Sequence, residues 1–241
     1  MMEKLKSGAE ELGINLTPLQ IERFEVYYHE LIAWNKRINL TSITDYEDAQ
    51  IKHFLDSLTV AEAIDFKNNG ENLKVIDVGT GAGLPGIPLK IVFPDIKLTL
   101  LEATVKKTKF LEHLIGKLDL KNVEIVAERA ETAAHDARYR EKYDVVLARA
   151  VATLPALAEL LLPFCNIGGK SIVQKKGDIK GEIEQAEKAI TLMGGSLREV
   201  RLVELKELND NRWLIIIDKV KSTPVLYPRR PGMPEKRPVI S

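Results

Sequence analysis

The sequence predicts an α/β chain built on a doubly wound sheet, with five parallel strands, a closing antiparallel hairpin and an N-terminal helical cap. Three observations predict it. From residue 74 onward, short apolar runs alternate with helix-length segments, so each strand must return parallel through a crossover. The last two runs, 197–205 and 212–220, are joined across ELNDNR with no room for a helix, so they pair antiparallel. Before residue 64 the apolar residues instead recur at three- and four-residue steps, the spacing of amphipathic helices.

Taken in order, the cap opens with Thr17 as an N-cap and Pro18 at the first helical position, where a missing N–H costs nothing. Leu19, Phe24, Tyr27, Leu31 and Trp34 form its first apolar stripe, and Ile51, Phe54, Leu55 and Leu58 form a second. Between them NKRINLTSIT, residues 35–44, breaks the helix with turn-forming side chains. A polar connector, KNNGEN at 67–72, leads to predicted strands at 74–78, 97–101, 123–126, 143–148 and 170–174. Helices are expected at 104–118 and 154–164. The chain thus divides into a cap at 1–66, a sheet domain at 67–221 and a basic arm at 222–241 packed on the same unit. Pro228, Pro231, Pro234 and Pro238 hold that arm extended.

The 35 Lys and Arg balance the 35 Asp and Glu, so any nucleic-acid site must be a local patch rather than a global charge. One cysteine, Cys165, excludes an internal disulfide, and no His/Cys grouping has zinc spacing. No metal is therefore expected. The N-terminus lacks the apolar core of a signal peptide and no run of about 18 apolar residues occurs. A cytoplasmic monomer with no membrane partner is the expectation.

The first strand ends in VIDVGTGAGLPG, residues 75–86. In doubly wound sheets ligands bind beyond the carboxyl ends of the strands, and the first strand-to-helix turn lets the backbone approach them. Gly79, Gly81 and Gly83 clear side chains from that turn. Residues 81–86 also satisfy GxGxxG, which keeps a nicotinamide or flavin cofactor open. Glu102, at the end of the second strand, is placed to accept ribose hydroxyls, a feature both cofactor classes share.

Other residues interrupt their surroundings in ways that suggest work. Arg149 breaks the apolar run LARAV at the ligand end of the fourth strand, and a buried guanidinium is rare unless paired. A site role is favoured there over a structural ion pair. Asn39 is read equally as a contact to the acceptor or as an Asx turn. Asp56 and Ser57 read by default as helix-surface residues, becoming pocket residues only through the family resemblance given below, and His53 reads as a structural hydrogen-bonder at the cap. Lys175, Lys176, Arg229, Arg230, Lys236 and Arg237 are candidate phosphate contacts, or else solvated charge.

The Asp77-led glycine turn, the closing hairpin and Arg129-Ala130-Glu131 together resemble the class I S-adenosylmethionine-dependent methyltransferases, a Rossmann-like fold. A narrower resemblance runs in order along nearly the whole chain: WNKRINLTSI at 34–43, KHFLDSL at 52–58, DVGTGAGLPGIPL at 77–89, ERAE at 128–131, ARAVA at 148–152, QKKG at 174–177 and YPRRPGMPEKRPV at 227–239. These resemble the bacterial 16S rRNA guanine-N7 methyltransferases, also called glucose-inhibited division protein B. The resemblance implies S-adenosylmethionine as cofactor and a guanine in the 530 loop of 16S rRNA, free or in the small ribosomal subunit, as acceptor.

By motif position it also implies roles. Asp77 would belong to the cofactor site, Gly79, Gly81 and Leu84 would border the methionine and ribose, and Glu102, Ala103 and Thr104 the ribose and adenine. Ala130 and Glu131 would lie by the adenine and Arg149 near the transferred methyl, with Arg149 and Asn39 positioning rather than exchanging protons. Two other functions stay open at this point: a nicotinamide-dependent oxidoreductase, and an RNA-binding ribosome-assembly factor that keeps the fold without turnover.

Overall fold

The alternating apolar runs fold into a single twisted layer. The computed structural model describes residues 1–64, 72–149, 152–208 and 210–240. Among these residues the strands are β1 (Lys74–Val78), β2 (Lys97–Leu101), β3 (Val123–Val126), β4 (Tyr143–Arg149), β5 (Cys165–Lys176), β6 (Gly195–Val203) and β7 (Arg212–Lys219). They form one sheet in the order β3-β2-β1-β4-β5-β7-β6. The first five pair parallel, and β7 runs antiparallel to both of its neighbours. The first four expected strands match within a residue, while β5 begins at Cys165 instead of residue 170.

The hairpin closes the sheet with its second strand inward. β7 carries the unbroken apolar run Leu214–Ile217, all buried, the composition of an interior strand. β6 places Arg198, Glu199 and Arg201 on an edge, where charge blunts further pairing.

The helices are α1 (Glu3–Glu11), α2 (Pro18–Asn35), α3 (Tyr46–Ala49), α4 (Asp56–Leu58), α5 (Gly86–Val92), α6 (Val105–Lys117), α7 (Ala130–Ala133), α8 (Leu154–Leu161), α9 (Lys180–Leu192) and α10 (Met233–Lys236). Thr17 caps α2 as expected: its hydroxyl accepts the Gln20 N–H at 3.3 Å while the Gln20 side chain accepts the Thr17 N–H at 2.9 Å, a reciprocal box. Between α3 and α4 the chain is π-helical over Gln50–Leu55, and a 3₁₀ turn follows at Thr59–Ala63. Extra residues of this kind within a helix re-aim side chains and recur at functional sites.

The period-two burial of the strands divides the core. Val75, Leu147 and Ile172 face a cluster shared with Phe24, Tyr27, Leu31, Phe54 and Leu58, so the cap closes one face of the sheet. Ile76, Val146 and Val173 face α8 and α9 on the other. The expected 66/67 boundary and most of the 67–72 connector lie outside the described residues, as do residues 150 and 151 of the ARAVA segment. No helix among the described residues is long and apolar enough to cross a membrane.

Candidate active site

Two carboxylates organise the carboxyl ends of β1 and β2. Asp77 is fully buried, and its Oδ2 accepts the Thr80 hydroxyl at 2.6 Å and the Gly86 N–H at 2.8 Å. Burial pushes its carboxyl up to about 6. Asp77 thus lies beneath the loop and fastens it to the start of α5. The same contact weighs against the nicotinamide expectation. A dinucleotide rests its pyrophosphate on the first helix N-terminus, and here the Asp77 carboxylate occupies that place.

Gly79, Gly81 and Gly83 have φ of 70°, 61° and 94°, left-handed values that glycine adopts without strain. A Cβ at Gly79 would meet nothing within 4 Å, so the loop faces open space there. At Gly83 it would come within 2.5 Å of Ile87 Cδ1 and 3.0 Å of the Tyr27 hydroxyl. Tyr27 in turn donates to the Ala82 carbonyl at 2.6 Å, tying the cap to the glycine loop.

Glu102 holds the loop from the other side. Its Oε2 accepts the Gly81 N–H at 3.0 Å and its Oε1 the Thr104 N–H at 2.8 Å. A carboxylate has about four lone-pair sites, so acceptor capacity remains. Glu102 also lines a cavity of about 210 Å³ beyond the strand ends, together with Gly79, Ala103, Ala130 and Glu131. Val78, Leu101, Leu157 and Leu161 give it an apolar floor. Five of the expected cofactor residues are thus brought together. Gly81, Leu84 and Thr104 stand outside the lining, Gly81 and Thr104 through their bonds to Glu102 and Leu84 as a buried residue of the loop.

The open space over Gly79, the spare lone pairs of Glu102 and the apolar floor fit the adenosine half of S-adenosylmethionine. The cavity is smaller than the roughly 300–1,000 Å³ that encloses a drug-sized ligand. It suits one end of the cofactor, with the remainder over the glycine loop. Glu102, Glu128, Glu131 and Glu235 line it with Arg129, and Lys107 lies 4.0 Å from Glu102, a balance that remains acidic.

The carboxyl ends of β4 and β5 and the start of β7 form a cationic bank. The register sets Arg149 opposite Gln174, and Lys176 opposite Arg212. Arg149 Nη1 donates to Asp56 Oδ2 at 3.1 Å and to the Lys52 and His53 carbonyls at 3.2 and 3.4 Å. Its Nε and Nη2 have no partner among the described residues. Arg212 Nε lies 3.2 Å from Asp56 Oδ1 as an ion pair, though without hydrogen-bond alignment. Burial pushes the Asp56 carboxyl up, and the two guanidiniums pull it back.

Asp56 and Ser57 are therefore not helix-surface residues. Both are buried, because the π-helical stretch turns them toward the sheet, where Gln174 Nε2 donates to the Asp56 carbonyl. His53 is the structural hydrogen-bonder expected, its Nε2 2.8 Å from the Thr41 hydroxyl. Burial, then the nearby Arg149 charge, pushes its pKa down to about 4.

Asn39 is exposed, with no side-chain partner among the described residues. The turn-closing role considered for it belongs to Asn35, whose amide accepts the Leu40 and Thr41 N–H groups at 2.8 and 3.0 Å. Of the expected phosphate contacts, Lys176, Arg230, Lys236 and Arg237 are exposed. Lys175 and Arg229 are instead held in ion pairs within the fold. Lys175 pairs with Glu182 at 2.8 Å and donates to the Ala152 carbonyl at 2.9 Å. Arg229 pairs with the fully buried Glu159 at 2.6 Å. Short basic runs do not reveal which cation meets a buried acid. Arg212, Gly232 and Glu235 also belong to this end of the molecule, and no local pattern marks them in the sequence.

Residues 20–212 match the family described as rRNA small subunit methyltransferase G. A protein of that name from Dehalococcoides mccartyi is 52% identical over 99% of this chain and 100% of its own length. Another, from Bacillus cytotoxicus, is 44% identical over 99% of this chain and 98% of its own. Among solved structures, a mutant of MtNAS in complex with S-adenosylmethionine superposes with a TM-score of 0.55 at 14% identity, covering 91% of this chain and 78% of that one. TrmN from Thermus thermophilus superposes with a TM-score of 0.51 at 16% identity, over 71% and 53%. At such identities the two structures speak for the fold alone.

Proposed function

We infer, from the premise that this chain belongs to the rRNA small subunit methyltransferase G family, that it uses S-adenosylmethionine to methylate N7 of a guanine in the 530 loop of 16S rRNA. The observation that carries this reading is the pairing of two unlike sites at one end of the sheet. A carboxylate-rimmed cavity suits a cationic donor, and a bank of guanidinium and ammonium groups suits a polyanionic acceptor. Family membership and the Asp77 contact at α5 leave the nicotinamide oxidoreductase without support. The formed cavity and intact Gly79 and Glu102 count against a binding-only assembly factor.

When bound, S-adenosylmethionine supplies an electrophilic methyl group on a sulfonium. Guanine N7 presents a lone pair and carries no proton, so no residue has to act as a base. The chain's contribution is position and electrostatics. Gly79 lets the backbone approach the ligand, the spare lone pairs of Glu102 accept ribose hydroxyls, and Ala130 and Glu131 border the adenine. Gly81, Leu84, Ala103 and Thr104 complete the support on that side, and Asp77 keeps the loop in place from below.

Arg149, clamped through Nη1, offers Nε and Nη2 to the cofactor carboxylate, guanine O6 or a phosphate. The exposed Asn39 amide offers both a donor and an acceptor to the base edge. Lys176, Arg230, Lys236 and Arg237 hold phosphates, which orients the RNA without reading its sequence. His53 stays neutral and structural. The reading places the protein in the cytoplasm, acting as a monomer on 16S rRNA or the small subunit.

Purified protein and tritiated S-adenosylmethionine, incubated with 30S subunits and separately with naked 16S rRNA from cells lacking the endogenous activity, test this directly. Label at N7 of a 530-loop guanine is the expected outcome. No label on either substrate overturns the reading.

A further inference from the structure

The family match ends at residue 212, yet the arm beyond residue 221 reaches back to the candidate cofactor cavity. Gly232 and Glu235 stand in its wall beside Ala130, Glu131 and Leu157. The arm is fastened there by several independent contacts. The Gly232 N–H donates to Glu131 Oε1 at 2.7 Å. His135 Nε2 lies 2.8 Å from the Pro228 carbonyl. Arg140 donates to the carbonyls of Thr223 and Tyr227 at 2.9 Å each.

The firmest contact is ionic. Glu159 sits on α8 with no exposed surface, and its carboxylate accepts the Arg229 backbone N–H at 2.7 Å, Nε at 2.9 Å and Nη2 at 2.6 Å. Burying a carboxylate is costly unless a partner neutralises it. Among the described residues, the sheet domain has committed a buried charge whose partner the arm brings. The helix carrying Glu159 also lends Leu157, Leu160 and Leu161 to the cavity. Arm, helix and cavity wall are one assembly.

We propose that the C-terminal arm is the outer wall of the nucleoside end of the cofactor site, with Gly232 and Glu235 against the bound adenosine and the Glu131–Gly232 bond as its latch. This rests on the methyl-donor reading above. Glu131 borders the cavity and holds the arm at once, so a nucleoside that packs against Glu131 packs against a closed arm. Binding then favours the docked state by linkage, since the ligand has more contacts there than with the arm released. Glu235, an acceptor-only carboxylate at the rim, suits the exocyclic amine of adenine.

The test uses the full chain and two ligands, S-adenosylhomocysteine and methylthioadenosine, which share the nucleoside but not the amino-acid end. Glu235 is exposed, so Glu235→Arg should fold normally, as its melting curve can check. It should weaken both ligands by about tenfold, roughly the worth of one charge-assisted hydrogen bond. Glu235→Gln, which keeps the length and an acceptor, should recover most of that loss. In the unaltered chain S-adenosylhomocysteine should slow tryptic cleavage after Lys236. Unchanged affinity in Glu235→Arg overturns the proposal, as does a loss with S-adenosylhomocysteine that methylthioadenosine does not share. If the unaltered chain binds neither ligand, the methyl-donor reading fails and the proposal falls with it.

Discussion

The β1–β2 side and the β4–β5–β7 side of the same sheet edge hold their carboxylates by opposite means. Asp77 and Glu102 are gripped by neutral donors, Thr80 and the backbone N–H groups of Gly86, Gly81 and Thr104, all within 21 positions along the chain. Asp56 is gripped by two guanidiniums, Arg149 from 93 positions away and Arg212 from near the end of the sheet domain. Apart from Lys107, whose Nζ lies 4.0 Å from Glu102 Oε2, the donors on the first side are neutral and leave it net negative, which suits a cation nearby. On the second side Asp210 also pairs with Arg212 at 3.3 Å, and Arg149, Arg212 and the neighbouring Lys176 outnumber the two carboxylates, which leaves charge for an anion. The difference shows how one fold prepares adjoining sites for ligands of opposite sign, by choosing the type of donor as much as the number of charges.

The largest test of this contrast is Asp56→Ala, which takes from Arg149 and Arg212 the buried carboxylate they share. Removing one partner of a buried pair costs about 3–5 kcal/mol, so chemical denaturation should show a loss of that size. A loss below about 1 kcal/mol would mean that the cation bank does not depend on Asp56.

The next effect is a pH dependence in which the two sides oppose each other. His53 has its pKa pushed from 6.5 down to about 4. Between those values the unfolded chain binds the extra proton, so its contribution is full above 6.5 and is lost as pH falls toward 4. Asp77 is pushed from 3.8 up to about 6. There the folded chain binds the extra proton, so stability falls as pH rises from about 4 to 6. Each is worth on the order of 3 kcal/mol, and they largely cancel between pH 4 and 6. His53→Gln should therefore become less stable as pH rises through that window, and Asp77→Asn less stable as pH falls through it. Parallel profiles for the two variants would refute the opposition.

The smallest effect is expected at Thr80→Val, which removes one neutral donor from Asp77 at nearly constant shape. A buried acceptor that loses a partner costs about 1–3 kcal/mol. The loss should fall below that of Asp56→Ala and be accompanied by weaker S-adenosylhomocysteine binding in calorimetry, because the glycine loop loses its anchor. An unchanged affinity would show that the loop keeps its form without Thr80.

Much of the cofactor side is legible in the chain itself. The ends of β1 to β3, the Thr17 cap, the turn at Gly79–Gly83 and the place of Glu102 all follow from constraints that act within a few residues. These are the period of apolar side chains, the φ range open to glycine, and the proline-compatible first turn of a helix. Even here the inward turn of Asp77 is not legible, since a sequence does not show which way a strand-end carboxylate turns. The inward position of β7 is not expected from the order of the runs, although its unbroken Leu214–Ile217 stretch, set against the charged β6, is a local signal of it.

The sequence by itself determined the fold class, the ends of the first four strands, the glycine turn and, through its motifs, the family. Only the tertiary structure decided that Asp56 lies buried between Arg149 and Arg212, that Lys175 and Arg229 pair with Glu182 and Glu159, and that Gly232 and Glu235 line a cavity begun at residue 78. The physical reason is the range of the forces. Backbone conformation and hydrophobic period are set by neighbours along the chain, whereas a buried charge takes whichever partner the completed packing brings within about 4 Å.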